Sequence, residues 1–216
     1  AAVITTARAA KVPVLAAHKD VATMEVLTHH LTFAAPECYE RLGTFAQMNP
    51  PVRDATHREA LWQAVRDGVV DCIGSDHAPH TKEEKARPYP QSPSGMPGVQ
   101  TLLPVMLDHM NAGRLSLHRL VDLTSAGPAR IYNIAGKGRI ALGYDADLAI
   151  VDLKARREIT NDWIRTKCGW TPYAGMTVTG WPKATVIRGK IVMREDELLD
   201  RPIGEPVRFL ETLQPA

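Results

Sequence analysis

The spacing of apolar and polar positions predicts a strand, a helix and a second strand early in the chain. Residues 22–26 alternate loosely and are rich in β-forming side chains, as in a short strand. Residues 54–67 have one apolar face, a capping Asp54 at the start and Gly68 just beyond the end, which predicts a helix. Residues 69–74 are mostly apolar, as in a strand buried on both faces of a parallel sheet. The three segments predict a βαβ unit.

A long polar loop and further helical patterns follow the second strand. Residues 75–97 hold five prolines and a charged stretch without regular periodicity, so we expect a functional or disordered loop. Residues 1–17, which precede the βαβ unit, are small and apolar, and this Ala-rich stretch favours a helix. Helical patterns resume after the loop at residues 99–111, 116–123 and 128–134.

From Gly138 onward the pattern changes to short β-like runs broken by Gly and Pro. Residues 149–153 predict a strand, and residues 186–193 predict a hairpin. We therefore predict an α/β fold with two regions, residues 1–137 and a small β-rich segment of residues 138–216.

The composition excludes several classes of function. Among the 216 residues, 26 Lys and Arg balance 24 Asp and Glu, and this net charge of +2 does not favour a nucleic-acid partner. No run of 18 apolar residues exists, so we expect no membrane span. Cys38, Cys72 and Cys168 are far apart and without C-x-x-C spacing, which indicates neither a disulfide framework nor a thiolate zinc site and favours the cytoplasm.

The densest cluster of reactive side chains lies where the second predicted strand ends, in Gly74-Ser-Asp-His-Ala-Pro-His-Thr81. Ligands of barrels and open α/β sheets bind at the carboxyl ends of strands, so Asp76, His77 and His80 are well placed for a site. A carboxylate there can bind a metal ion and accept a proton from metal-bound water, and an imidazole can bind a metal or an anionic substrate. The alternative is that Asp76 caps a turn and the histidines lie on the surface.

Two adjacent histidines, His29 and His30, follow the first of these strands. Neighbouring strand residues point to opposite faces, so at most one of the two faces a common site, and we favour a structural role. Four other histidines lie on helical segments among polar neighbours, and we expect all of them to be solvated: His18, His57, His109 and His118.

Two loops offer polar groups near the same ends of the strands. The carboxamide of Asn49 can donate to and accept from a ring amide or a carboxylate, and the prolines after it stiffen its loop. Residues 94–98, Ser-Gly-Met-Pro-Gly, can expose backbone N–H and C=O groups, because glycine lets a ligand approach the main chain. Taken alone, Asn49 reads as a turn residue and the glycine-containing loop as a weak signal.

Five motifs occur in order along the chain: Glu25-Val-Leu-Thr-His-His-Leu31, Met48-Asn-Pro-Pro-Val-Arg53, Gly74-Ser-Asp-His-Ala-Pro-His-Thr81, Ser94-Gly-Met-Pro-Gly-Val-Gln-Thr101 and Gly143-Tyr-Asp-Ala-Asp-Leu148. Together they resemble the C-terminal half of a bacterial dihydroorotase, a cyclic amidohydrolase of the metal-dependent amidohydrolase superfamily. The resemblance extends from about residue 16 to about residue 195, whereas residues 1–14 do not resemble the family.

The resemblance implies the C-terminal part of a (β/α)8 TIM-type barrel in residues 1–137, followed by a small β-sandwich segment in residues 138–216. It implies a reversible interconversion of N-carbamoyl-L-aspartate and L-dihydroorotate in pyrimidine synthesis. It also implies one or two zinc ions in the complete enzyme.

The same resemblance assigns roles to individual residues. Asp76 matches the last-strand carboxylate that binds the metal and shuttles the proton. Asn49 and His80 match residues that hold the substrate's carboxylate and ring. Pro97 and Gly98 match loop positions whose backbone bonds the dihydropyrimidine ring.

The departures from the family concern the metal ligands. The family's site begins with an H-x-H motif that this sequence lacks, the bridging residue and other histidines are missing before His29, and Thr28 stands where many relatives have Pro. Catalytic zinc usually needs three protein ligands and a water, so we expect Asp76 to be an isolated ligand and the chain alone to be inactive. A complete barrel needs about 250 residues, and the chain opens at Ala1 rather than Met, so we expect its beginning to be missing.

Two other functions stay open. A non-catalytic dihydroorotase-like subunit is one, although such a protein need not keep Asp76, Asn49 and His80. An amidohydrolase acting on allantoin or a hydantoin is the other, although Asn49 and residues 94–98 favour dihydroorotate. We expect a small-molecule substrate, and either a homo-oligomer or association with another subunit of the pyrimidine pathway.

Overall fold

Two sheets, one of three parallel strands and one of four antiparallel strands, form the α/β fold of the computed structural model, which describes residues 2–199 and 202–210. The strands are β1 (Ala2–Thr5), β2 (Ala22–Leu27), β3 (Cys72–Gly74), β4 (Leu148–Glu158), β5 (Thr177–Ile187), β6 (Lys190–Arg194) and β7 (Glu197–Leu198). The helices are α1 (Val12–Ala17), α2 (Thr28–Thr32), α3 (Glu37–Leu42), α4 (Ala55–Arg66), α5 (Lys82–Lys85), α6 (Leu102–Asn111), α7 (Leu117–Val121) and α8 (Gly127–Ile131).

The predicted βαβ unit is confirmed. β2 and β3 pair in parallel, with Glu25 opposite Cys72. Between them, α4 begins where the Asp54 side chain accepts a hydrogen bond from the backbone N–H of Thr56, as expected of a capping residue. The chain leaves α4 through Gly68 at φ +76°, a conformation that favours glycine.

The first strand corrects the helix-like interpretation of the opening residues. β1 pairs in parallel with β2, from Ala2 opposite Ala22 to Thr5 opposite Glu25, and α1 begins only at Val12. The intrinsic helix propensity of alanine is a weak preference, and the ladder offered by the neighbouring strand overrides it.

The segments after β3 follow the predicted order, with shorter helices and longer strands than predicted. The polar loop contains one short helix, α5, and the predicted helix over residues 99–111 starts only at Leu102. The predicted hairpin is confirmed as β5 and β6, which Arg188 and Gly189 connect.

Two clusters of buried apolar side chains hold the elements together. One lies between the parallel sheet and its helices and includes Trp62 and Leu107. The other joins the loops beyond β2 to the antiparallel sheet and includes Tyr173 and Trp181. The two predicted regions therefore share a core. The boundary between residues 137 and 138 stays a prediction, and residues 200, 201 and 211–216 of the second region lie outside the described residues.

Candidate functional site

Asp76 lies two residues beyond the carboxyl end of β3, as the sequence predicts. Its carboxylate is exposed, and the partial loss of solvent around it raises the pKa of the group. Its backbone adopts φ +43°, in the left-handed region that non-glycine residues rarely occupy. Such a conformation needs support from the surrounding structure.

His77 connects the Asp76 turn to the loop of residues 96–99. It forms a parallel bridge with Met96, and its Nδ1 accepts hydrogen bonds from the backbone N–H groups of Gly98 at 3.1 Å and Val99 at 3.3 Å. A nitrogen that accepts in this way carries no proton.

Pro97 and Gly98, the predicted backbone contacts for the substrate, are buried. The N–H of Gly98 is bonded to His77, and its carbonyl accepts from the N–H groups of Thr101 and Leu102. The structure thus gives the polar groups of Gly98 partners within the protein, and the substrate contact stays a prediction.

Three of the predicted binding positions lie close together. Nε2 of His80 is 3.2 Å from the carbonyl oxygen of Ser94, and Nδ1 of His80 is 3.7 Å from a carboxylate oxygen of Glu84. Asn49 is exposed and, with Ser94, lines a cavity of about 650 Å³. The loops that carry Asn49, His80 and Ser94 therefore lie next to one another.

A buried lysine, which the sequence analysis did not single out, joins these loops. Lys85 is fully buried, and its Nζ donates to the carbonyls of Gln47 at 2.9 Å and Pro93 at 2.8 Å. Burial lowers the pKa of Lys85 to about 8. The available signal was the pattern Thr81-x-x-Glu84, a capping box that the structure confirms at the start of α5.

His29 and His30 occupy the short helix α2 rather than a strand, so the argument from opposite strand faces does not apply. Both side chains are buried. Nδ1 of His29 lies 2.8 Å from the hydroxyl of Tyr173, and Nε2 of His30 lies 2.8 Å from the carbonyl oxygen of Pro50. Burial lowers the pKa of His29 to about 3, and His30 adds to the effect.

The expectation that four other histidines are solvated is wrong for two of them. The ring of His109 packs edge-on against Trp62 at 4.9 Å, and its Nε2 lies 3.0 Å from Oγ1 of Thr32. Burial lowers the pKa of His109 to about 4. His57 is half-buried and accepts the backbone N–H of Ala9. Each occupies a contact between elements far apart in sequence. The other two, His18 and His118, are exposed.

The described residues do not fit a metal centre by themselves. Within residues 2–199 and 202–210, no three His, Cys, Asp or Glu side chains gather in a way that could hold a metal ion. Around Asp76, the Nδ1 atoms of His77 and His29 have protein partners, whereas Nε2 of His29 is buried without one among the described residues. In the same described ranges, no helix is long and apolar enough to cross a membrane.

The sequence matches the profile of the amidohydrolase family over residues 4–192. This match corrects the expectation that residues 1–14 lie outside the resemblance. A dihydroorotase of Halobacterium salinarum is 45% identical over 175 residues, which are 81% of this chain and 41% of the relative. A dihydroorotase of Pyrococcus abyssi is 41% identical over 194 residues, which are 90% of this chain and 46% of the relative. The chain spans less than half the length of these relatives.

Solved structures with a similar fold include two enzymes that are named for cyclic amide substrates. An L-hydantoinase (dihydropyrimidinase) from Arthrobacter aurescens superimposes with a TM-score of 0.86 at 31% identity, covering 92% of this chain and 46% of the other. A dihydropyrimidinase from Brevibacillus agri superimposes with a TM-score of 0.85 at 25% identity, covering 91% of this chain and 45% of the other.

Proposed function

The chain belongs to the amidohydrolase family, and we propose that it supplies the last-strand carboxylate and the substrate-contact loops of a dihydroorotase. The observation that carries the proposal is the position of Asp76. It follows a buried parallel strand and stands four positions before His80, in a chain 45% identical over 175 residues to a dihydroorotase. The parallel order β1-β2-β3 and the similarity to hydantoinase structures support a barrel of which these are the last strands.

In this function Asp76 moves a proton. Its carboxylate accepts a proton from the water that attacks the ring carbonyl and returns that proton to the ring nitrogen that leaves. Asn49 and His80 hold the carboxylate and ring of the substrate, and Pro97 and Gly98 shape the loop against it.

The zinc that the resemblance implies is part of the proposal for the complete enzyme. Relatives of this kind are generally metal-dependent. Because the described residues gather no metal site, the other ligands would come from elsewhere in the complete enzyme, and this chain alone would not turn over substrate. The cytoplasmic location, the oligomeric state and a partner subunit from the same pathway stay predictions.

A hydantoinase-type activity is the second candidate, because the superimposed structures carry that name. The sequence relatives favour dihydroorotate instead, since dihydroorotases reach 45% identity and the hydantoinase structure 31%. The two activities open different rings, and both would use the carboxylate of Asp76.

Substitution of Asp76 in the complete enzyme tests the proposal. We expect Asp76→Asn to lower kcat for dihydroorotate hydrolysis by about 10³-fold while the circular dichroism spectrum stays unchanged, because the amide cannot accept the proton. Asp67→Asn, at the exposed end of α4, is the matched control and should leave kcat within twofold. An Asp76→Asn variant that keeps more than a tenth of the activity would exclude the proton-transfer role.

A further inference from the structure

The turn that carries Asp76 is enclosed on one side by an unusually close packing of backbone on backbone. A Cβ atom placed on Gly98 would lie 2.4 Å from the carbonyl oxygen of Ser75 and 3.1 Å from Cε1 of His29. Only glycine lets the chain pass between these two groups. Gly98 therefore fills the space between the residue before Asp76 and the ring of His29.

His29 forms the far wall of this contact and is held in place by Tyr173. The hydroxyl of Tyr173 lies 2.8 Å from Nδ1 of His29, and the phenol ring stacks on Phe33 with centroids 4.9 Å apart. Nε2 of His29 is buried and has no hydrogen-bond partner among the described residues. Both His29 and Tyr173 are fully buried, so neither ring has space to turn away.

The other side of the turn is fastened by His77. Its Nδ1 accepts from the consecutive amides of Gly98 and Val99, which ties the residue after Asp76 to the same glycine. The residues on both sides of Asp76 thus contact Gly98, one through a carbonyl in close contact and one through an imidazole.

We propose that His77, His29 and Tyr173 are positioning residues that close on Gly98 and hold Asp76 in its left-handed backbone conformation. The inference deepens the proposed function, because it rests on Asp76 as the proton carrier. In this proposal the His77 side chain accepts hydrogen bonds from backbone N–H groups. Tyr173 connects the β-rich segment to the site through its contact with His29. A side chain that acts through the carboxylate changes the rate of the chemical step more than the binding of the substrate.

Two substitutions at His77 separate the acceptor role from every other role of the ring. Asparagine places a carbonyl oxygen near the position of Nδ1, whereas alanine offers no acceptor. In the complete enzyme we expect His77→Ala to lower kcat for dihydroorotate by about 10²-fold, with KM within threefold of the wild-type value. We expect His77→Asn to keep at least a tenth of the wild-type kcat. Equal losses in both variants would overturn the acceptor role.

Tyr173→Phe removes only the hydroxyl, and we expect it to lower kcat about tenfold with KM unchanged. Tyr144→Phe is its control, because among the described residues the Tyr144 hydroxyl accepts hydrogen bonds from the Arg139 guanidinium and has no contact with His29. A Tyr173→Phe variant with a lower Tm and an unchanged kcat would show a merely structural hydroxyl and would contradict the proposal.

The contact of His77 with the backbone of Gly98 and Val99 is called the clamp here. Amide hydrogen exchange tests the clamp independently of catalysis. The backbone N–H groups of Gly98 and Val99 should exchange at least tenfold faster in His77→Ala than in wild type, and His77→Asn should restore their protection. Unchanged exchange in His77→Ala would exclude the clamp even in an active enzyme. If wild type opens no dihydroorotate while the exchange behaves as expected, the proposed function fails and the clamp stands.

Discussion

His109 has a pKa far from that of an ordinary histidine, and this makes the fold sensitive to acid. Its pKa is lowered from 6.5 to about 4 by burial, with Arg114 and Arg58 adding to the effect. Between these two pH values the unfolded chain binds a proton at this position and the folded chain does not. The free energy of unfolding should therefore fall as the pH drops from about 6.5 to about 4.

Replacement of His109 should flatten this dependence. The wild-type loss assigned to this residue is on the order of 3 kcal/mol, because one pKa unit corresponds to about 1.4 kcal/mol. We expect His109→Gln to remove most of that loss in urea unfolding between pH 7 and pH 4. A loss of comparable size should remain in the variant, because burial lowers the pKa of His29 further, to about 3. His118→Gln, at an exposed position on α7, should keep the wild-type dependence. An identical pH dependence in wild type and His109→Gln would contradict this assignment.

The position of a single residue was predictable where it depends on the local sequence. Asp76 and His80 stand out because they follow an apolar strand directly in sequence. Tyr173 could not be found, because its contact with His29 spans 144 positions and its neighbours in sequence carry no pattern. His109 was misjudged because polar neighbours on a helix do not reveal a ring that fits against a tryptophan of another helix.

At the level of elements, the short helix α5 acts as a link between loops. Its Lys85 bonds the carbonyls of two neighbouring segments, and the Lys85 carbonyl accepts from the hydroxyls of Thr44 and Ser92. Lys85→Met would leave the Pro93 carbonyl without this donor. We expect it to lower the free energy of unfolding by about 1–3 kcal/mol.

Lys82 offers the matched control, since it is an exposed lysine on the same helix. Lys82→Met should change the free energy of unfolding by no more than about 0.5 kcal/mol in the same chemical unfolding experiment. A Lys85→Met variant at least as stable as wild type would mean that the cost of burying the ammonium outweighs its two hydrogen bonds.

Elements with a clear period and a cap, such as α4, were predicted nearly to the residue. β1 and α2 were not, because each depends on a neighbour far away in sequence. β1 is a strand since β2 lies beside it, and α2 interrupts the expected continuation of β2 where His29 and His30 turn into the interior. The local sequence pattern therefore predicts neither the pairing of β1 with β2 nor the burial of α2.

At the scale of the whole molecule, Gly180 sets how closely the antiparallel sheet packs on the helices. It adopts φ +106°, and a Cβ atom there would lie 2.5 Å from Cβ of Leu107 on α6. Gly189 also has a positive φ, +77°, yet nothing lies within 4 Å of its Cβ position. An alanine at either position would carry backbone strain, and only at Gly180 would its Cβ also meet a neighbouring side chain.

Thermal or urea unfolding of both alanine variants isolates that contact. Gly189→Ala should cost about 1–2 kcal/mol from the left-handed backbone alone. Gly180→Ala should cost about 1–3 kcal/mol more, because α6 and β5 would have to move apart. Equal losses in the two variants would show that the sheet and the helix are not packed tightly at this point.

The sequence predicts the order of the two regions but not their shared core. The change from helical to β-like patterns near Gly138 suggests a separate unit, whereas Tyr173 and Trp181 of the later region join one buried cluster with Leu27 and Met96 of the earlier one. Apolar periodicity shows which face of an element is buried and leaves open which partner covers it.

The proposed dihydroorotase function is tested most directly by comparing kcat/KM of the complete enzyme for dihydroorotate, hydantoin and allantoin. We expect dihydroorotate to exceed the other two rings by at least about 10²-fold, since polar groups placed for its carboxylate would be left unpaired by rings that lack one. A kcat/KM for hydantoin or allantoin equal to or above that for dihydroorotate, or no hydrolysis of any of the three, would contradict the assignment.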